Sequence, residues 1–303
     1  MKIYNILKKS NDTIVWLFGS GLIGESIGIA LESKFTYKSV NIKVLWGAYD
    51  QIDSTVKEII ENTKLLSKDK SETKVTIVWA AGVSGFYSKV EETDVEYLFF
   101  QRLINLLTTK SNNFVFNFIF FSSAGALYEG MTGIDYNTDI CINRPYGELK
   151  LKQERYLQQS NKISSLLILR PSSVYGFIDN RVKRPSLIPT IMHNVLLNKL
   201  STLYGDLYTL RNYIWVEDVA NFVINKLIHF EDGMYILAGS RSHSIIEIKK
   251  EIERVVRKRV YFKLNSSIEN NLDIVFSNNL FPCKYTNTTI LDGIYKISQK
   301  WNY

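Results

Sequence analysis

The chain has 303 residues, 46% of them hydrophobic, and a formal net charge of +7. That length and composition suit one large α/β domain, or a domain with a smaller lobe, and supply a sizeable buried core. The longest apolar runs are strand-sized and the first residues lack a cleavable apolar leader, so neither a membrane partner nor secretion is expected. Basic residues are scattered apart from Arg254, Arg257, Lys258 and Arg259, which close a predicted helix, so nucleic acid is not an expected partner either.

In chain order, the run Thr13–Phe18 is apolar and reads as the first strand, buried on both faces. Gly19, Ser20, Gly21, Leu22, Ile23 and Gly24 follow at once, and Ile23, Ile27 and Leu31 recur at helical spacing. Strand, glycine turn and helix together form the setting in which a G-x-G-x-x-G turn binds a dinucleotide. The helix N-terminus there offers N–H donors to a pyrophosphate. Residues 41–46 read as the second strand. No acid closes that strand to read the ribose hydroxyls, so NAD and NADP both stay open.

A third strand, 74–80, ends in Ala80, Ala81 and Gly82, small residues that let a flat cofactor approach the backbone. The stretch 114–121 is apolar throughout and must be central; it runs into Ser122 and Ser123. Hydroxyls at the carboxyl end of such a strand face the crevice where open α/β sheets bind ligands. Pro145 then signals a helix start, which puts Tyr146 and Lys150 on one helix face. An ammonium beside a phenol favours the phenolate: free tyrosine has a pKa of about 10, and a nearby cation lowers it by roughly 1–3 units. The same spacing recurs at Tyr4 and Lys8, ahead of the first predicted strand, where no site is expected.

Residues 164–170 form a further strand, leading through Pro171 and Ser173 to Gly176. The alternation to this point predicts a Rossmann-type, doubly wound parallel sheet over 1–176, with 213–240 returning to it. Residues 177–303 are expected to form mainly a smaller C-terminal substrate-binding lobe. Arg211 could pair with Glu217 or Asp218. Cys141 and Cys283 suggest idle or buried thiols in a reducing cytoplasm, and no metal site is expected.

With these motifs placed, the chain resembles the extended short-chain dehydrogenase/reductases, specifically the nucleotide-sugar epimerases, reductases and dehydratases. The resemblance runs from the glycine turn through Ala80–Gly82, Ser122 to Tyr128, Tyr146 to Lys150, Arg170 to Gly176 and Arg211 to Asp218, and on to the tail. It implies NAD or NADP as cofactor, a nucleotide-sugar substrate, a homodimer through the helix of Tyr146, and a cytoplasmic place in polysaccharide biosynthesis. Tyr146 would be the acid/base, Lys150 would hold the cofactor ribose, and Ser123 or its neighbour Ser122 would hydrogen-bond the reacting oxygen. Ser173 would meet the substrate, and Arg211 would clamp its diphosphate, a bidentate role suited to a guanidinium. Three positions depart from the family pattern: Phe18 stands where the turn has its first glycine, Ala124 at a common position of the hydroxyl residue, and Ser173 where an asparagine is frequent. Gly125 and Ala126 replace the acidic pair of a dehydratase. An epimerase acting at sugar C4 is therefore expected, with a 4-keto-sugar reductase as the alternative and a non-catalytic dinucleotide-binding protein as the outside reading.

Overall fold

The apolar runs become interior strands of a seven-stranded sheet in the computed structural model, which describes residues 1–7, 13–67, 72–177, 186–265, 271–277, 280 and 288–301. The first half comprises β1 (Lys2–Ile6), β2 (Thr13–Phe18), α1 (Leu22–Lys34), β3 (Tyr37–Asn41), α2 (Ile52–Ser67), β4 (Thr73–Trp79), α3 (Val90–Thr109), β5 (Phe114–Phe121), α4 (Ala124–Leu127), α5 (Pro145–Gln158) and β6 (Ile163–Pro171). After it come β7 (Ser173–Tyr175), α6 (Leu187–Leu196), β8 (Ser201–Tyr204), β9 (Leu210–Trp215), α7 (Val216–Ile228), β10 (Gly233–Leu237), β11 (Ser242–Ser244), α8 (Ile245–Val256), β12 (Phe262–Asn265) and α9 (Ile290–Lys300).

The main sheet has the order β10-β6-β5-β4-β2-β1-β3, parallel except at β1. One face packs under α2, α3 and α5 through residues such as Val56, Phe99, Phe100 and Leu157; the other packs under α1 and α7 through Ile27, Leu31, Phe222 and Val223. Both faces are covered, which is why β2, β4 and β5 are apolar without alternation. The carboxyl ends of β2, β4, β5 and β6 therefore open on one edge, where the glycine turn, Ala80–Gly82, Ser122–Ser123 and Pro171 all lie.

Two expectations fail at the other end of the sheet. The second strand is Tyr37–Asn41, not 41–46, and β1 is wedged between it and β2, antiparallel to both. Residues 42–46 cross the α2–α3 face instead, where Ile42 is buried and Trp46 packs against Trp79 and Phe99. The apolar pull of that stretch comes from helix packing rather than from strand pairing. Tyr4 is thus a strand residue: its hydroxyl donates to Glu32 at 2.9 Å, and Glu32 also pairs with Lys2. This clasp ties β1 to α1 and, beside the end of β1 that pairs with Leu17 and Asn41, lines a pocket together with Gly19, Ser20 and Gly24. Lys8 and Cys283 lie outside the described residues, and Cys141 is a half-buried free thiol.

Beyond β6, β7, β9 and β11 form a small sheet, and β8 pairs in parallel with β12. Their core is built from α6, α8 and α9 with Tyr175, Tyr213 and Trp215. Capping boxes start α8 at Ser244 and α9 at Thr289, each satisfying two end N–H or side-chain groups reciprocally. β10 returns to the main sheet beside β6, so the small sheet hangs over the edge that carries the predicted site.

Candidate active site

The glycine turn is shaped by backbone contact. Gly19 has φ +116°, and a Cβ there would lie 2.3 Å from the Ala80 carbonyl oxygen. A Cβ on Gly24 would lie 2.3 Å from the Gly19 oxygen, whereas one on Gly21 would meet nothing within 4 Å. Two glycines therefore bring turn, α1 and β4 together, and the third leaves open space above the α1 N-terminus. Gly21 is the N-cap of α1, and no side chain caps that end. These features fit a dinucleotide pyrophosphate. Phe18, at the variant position, turns its ring into the core and stacks on Trp79 at 4.8 Å. The substitution is absorbed by packing and does not fill the turn. Gly24→Ala should cost about 1–3 kcal/mol by overpacking and abolish nicotinamide-dinucleotide binding, read by a thermal melt and by cofactor fluorescence. Unaltered binding would remove the turn from the cofactor site.

The loop after β4 is held from below by a residue the motifs did not flag. Glu96, 2% exposed on α3, accepts N–H bonds from Val83 at 2.9 Å and Ser84 at 2.6 Å. A Cβ on Gly82 would lie 2.8 Å from its other oxygen. The available signal was an acid on the apolar stripe of a helix.

α5 starts at Pro145, as its sequence suggested, and puts Tyr146 above Lys150. The Lys150 ammonium lies 5.6 Å from the Tyr146 ring centre and donates to the Phe121 carbonyl at 3.2 Å. That bond uses one of its three donors at the end of β5. Gly147 allows the close fit: its Cβ would lie 2.6 Å from the Ala126 oxygen. Buried contacts anchor the same helix at both ends. At its start, Arg144 forks onto the buried Glu129 at 3.0–3.2 Å and stacks over Phe86 at 4.0 Å. Farther along, Glu154 receives Arg170 of β6 through two bonds, 2.9 and 2.6 Å, and Arg170 also donates to the Tyr128 hydroxyl at 2.6 Å. Burial by itself would lower the Arg170 pKa; Glu154 and Tyr128 together leave it raised.

A cleft of about 440 Å³ lies between this edge and the small sheet, lined among others by Ser123, Tyr146, Ser173, Tyr204 and Arg211. The two serines separate here. Ser123 lines the cleft beside Tyr146, capping α4 by accepting the Ala126 N–H at 3.2 Å. Ser122 is 4% exposed, and its hydroxyl is buried with no protein partner. Gly125 and Ala126 line the same wall with no acid.

Arg211 leaves β9 toward the cleft. Burial lowers its pKa, opposed by Tyr213, Glu129 and Asp273. Glu217 is paired with Lys296 at 3.8 Å and Lys300 at 4.0 Å, while Asp218 accepts from Thr288. Both acids that the sequence offered to Arg211 are thus engaged by other groups. Arg211→Lys, which keeps the charge and loses the planar fork, should raise KM for a nucleoside-diphosphate sugar about tenfold, the scale of one charge-assisted bond. An unchanged KM would place the diphosphate elsewhere. Among the described residues no cluster of His, Cys, Asp or Glu could hold a metal.

Comparison with known proteins agrees with this layout. A model of the NAD dependent epimerase/dehydratase family matches residues 21–236. A putative UDP-glucose 4-epimerase of Methanocaldococcus jannaschii is 30% identical over 121 residues, a match covering 39% of this chain and only 40% of that relative. The UDP-glucose 4-epimerase of Thermus thermophilus, solved with NAD, superposes with a TM-score of 0.74 at 18% identity, covering 94% of this chain and 97% of that one. The ADP-L-glycero-D-manno-heptose-6-epimerase of Helicobacter pylori gives 0.69 at 17% identity, covering 96% of both chains. At these identities the structural likeness speaks for the fold. The family model spans most of the chain, and the glycine turn fits the cofactor it implies, NAD or NADP: the chain belongs to the NAD dependent epimerase/dehydratase family.

Proposed function

We propose that the protein is a nucleotide-sugar epimerase acting at sugar C4. The reading is carried by one observation: Ser123, Tyr146 and Arg211 share a single cleft, with Lys150 fixed directly behind Tyr146. The similar structures, mostly 4-epimerases of UDP-sugars, support the choice of reaction. On this reading residues 1–176 with 213–240 carry the cofactor, and 177–303 supply most of the substrate lobe.

Bound in the crevice, NAD or NADP would supply reversible hydride acceptance at the sugar carbon. Gly19, Ser20, Gly21, Leu22, Ile23 and Gly24 would hold its pyrophosphate. Ala80, Ala81, Gly82 and Pro171 would flank it, and Lys150 would hold its ribose. Tyr146 takes the C4 hydroxyl proton, Lys150 stabilises the phenolate, and Ser123 donates to the same oxygen. The 4-keto sugar turns over while Arg211 keeps the diphosphate, and Tyr146 returns the proton to the reduced oxygen. Ser173 contacts the substrate from the opposite wall.

Denaturing the purified protein and assaying the released dinucleotide tests the cycle. An epimerase regenerates its cofactor and is expected to retain it. Interconversion of a gluco/galacto pair of UDP-, dTDP- or GDP-sugars without net NAD(P)H change supports the proposal. Oxidation of NAD(P)H that requires a 4-keto sugar replaces it with the reductase reading. Light scattering tests the homodimer, which would form through α5.

A further inference from the structure

The end of the small lobe remote from the cleft carries a face that the proposed reaction does not use. α8 stops at Val256, and Lys250, Arg254, Arg257, Lys258 and Arg259 gather around its last turn, all exposed. The acids among them are already engaged. Glu253 receives Lys249 at 2.6 Å, Arg259 at 3.6 Å and the Val260 N–H at 2.9 Å, and Glu251 lies 3.7 Å from Arg254. With Lys249, six cations stand against these two acids, so the patch is net cationic.

It continues into apolar surface. Lys258 donates to the Leu196 carbonyl and to Asn198, which joins the end of α8 to the end of α6. Just past α6, Leu197 is 48% exposed and Leu200 62%. The β8–β12 register pairs Ser201 with Phe262 and Thr202 with Lys263, so alternation sets Tyr261 and Lys263 on the face away from the buried Leu203. Tyr261 is 64% exposed.

Arg257 adds an observation of a different kind. It ends α8 with φ +56°, a left-handed position where glycine is the easy residue. An arginine there costs conformational energy that a glycine would not, and it adds an exposed cation to the patch.

From this juxtaposition we propose that the α8–β12 face docks on an anionic phospholipid surface. Cations meet the headgroups, tyrosine sits at the headgroup level, and leucines enter the hydrocarbon boundary. A nucleic acid would use the cations and the ring but has no use for Leu197 and Leu200. No described helix is long and apolar enough to cross a membrane, and a peripheral contact requires none.

Co-sedimentation of the full chain with vesicles tests the proposal. The protein should pellet with mixed phosphatidylglycerol–phosphatidylcholine vesicles, stay in solution with phosphatidylcholine alone, and be released by salt. Arg257→Gly should weaken vesicle binding about fivefold, the scale for one interfacial cation, while leaving the melting temperature unchanged or raised. Leu200→Ser should weaken vesicle binding and leave any binding to duplex DNA unaltered. The proposal is overturned if the wild type ignores the anionic vesicles or if both variants pellet as it does. Tighter binding to duplex DNA than to the vesicles would overturn it as well.

Discussion

Tyr146→Phe should lower turnover by about 10²–10⁴-fold, the usual contribution of a positioned acid–base group, and leave dinucleotide affinity intact. The substitution removes one oxygen and keeps the ring in the first turn of α5, where Pro145 and the contact of Gly147 with Ala126 fix its direction. Lys150 keeps its bond to Phe121, because that bond does not involve Tyr146. The loss should therefore fall on kcat, with KM for the nucleotide sugar held by Arg211 and the cleft walls. Fluorescence titration of the dinucleotide beside steady-state kinetics separates the two effects. A variant that turns over at the wild-type rate would move the base to another group, and one that fails to bind dinucleotide would give Tyr146 a structural role.

Glu154→Ala should destabilise the fold by about 3–5 kcal/mol, the cost of leaving a buried charge without its partner. Arg170 is only 8% exposed, and both of its hydrogen bonds to Glu154 are short. Truncating Glu154 strands the guanidinium between α5 and β6, with the Tyr128 hydroxyl still accepting from it. The double variant Glu154→Leu with Arg170→Met removes both charges and should recover most of the loss, since a well-packed apolar pair often matches a buried ion pair. Denaturant melts of the three proteins measure the coupling. Equal loss in the single and double variants would mean that the packing of the side chains matters, and not their charge. Because α5 carries Tyr146 and Lys150, the single variant should also lose turnover in native buffer, even where it remains folded.

Much of this molecule was legible along the chain because its signals are local. An apolar run followed by Gly19, Gly21 and Gly24, or Pro145 followed by Tyr146 and Lys150, encodes strand, turn and helix within a few residues, and those elements formed where they were read. The choice of edge also followed, since parallel strands bring their carboxyl ends together. The position of β1 did not follow. Its five residues carry no decisive period, and only pairing with Thr13–Phe18 and Tyr37–Asn41, with Tyr4 and Lys2 drawn to Glu32, puts it inside the sheet.

The sequence alone determined the doubly wound architecture and the Tyr146/Lys150 pair, because periodicity, glycine and proline act over one turn or one strand. Tertiary structure decided the rest. It set which serine faces the cleft, turned Phe18 into the core, closed Glu96 under the loop after β4, and locked Glu154 to Arg170. Each of these depends on partners distant in the chain, and burial gives such contacts their strength: a polar group removed from water must find its partner across the fold.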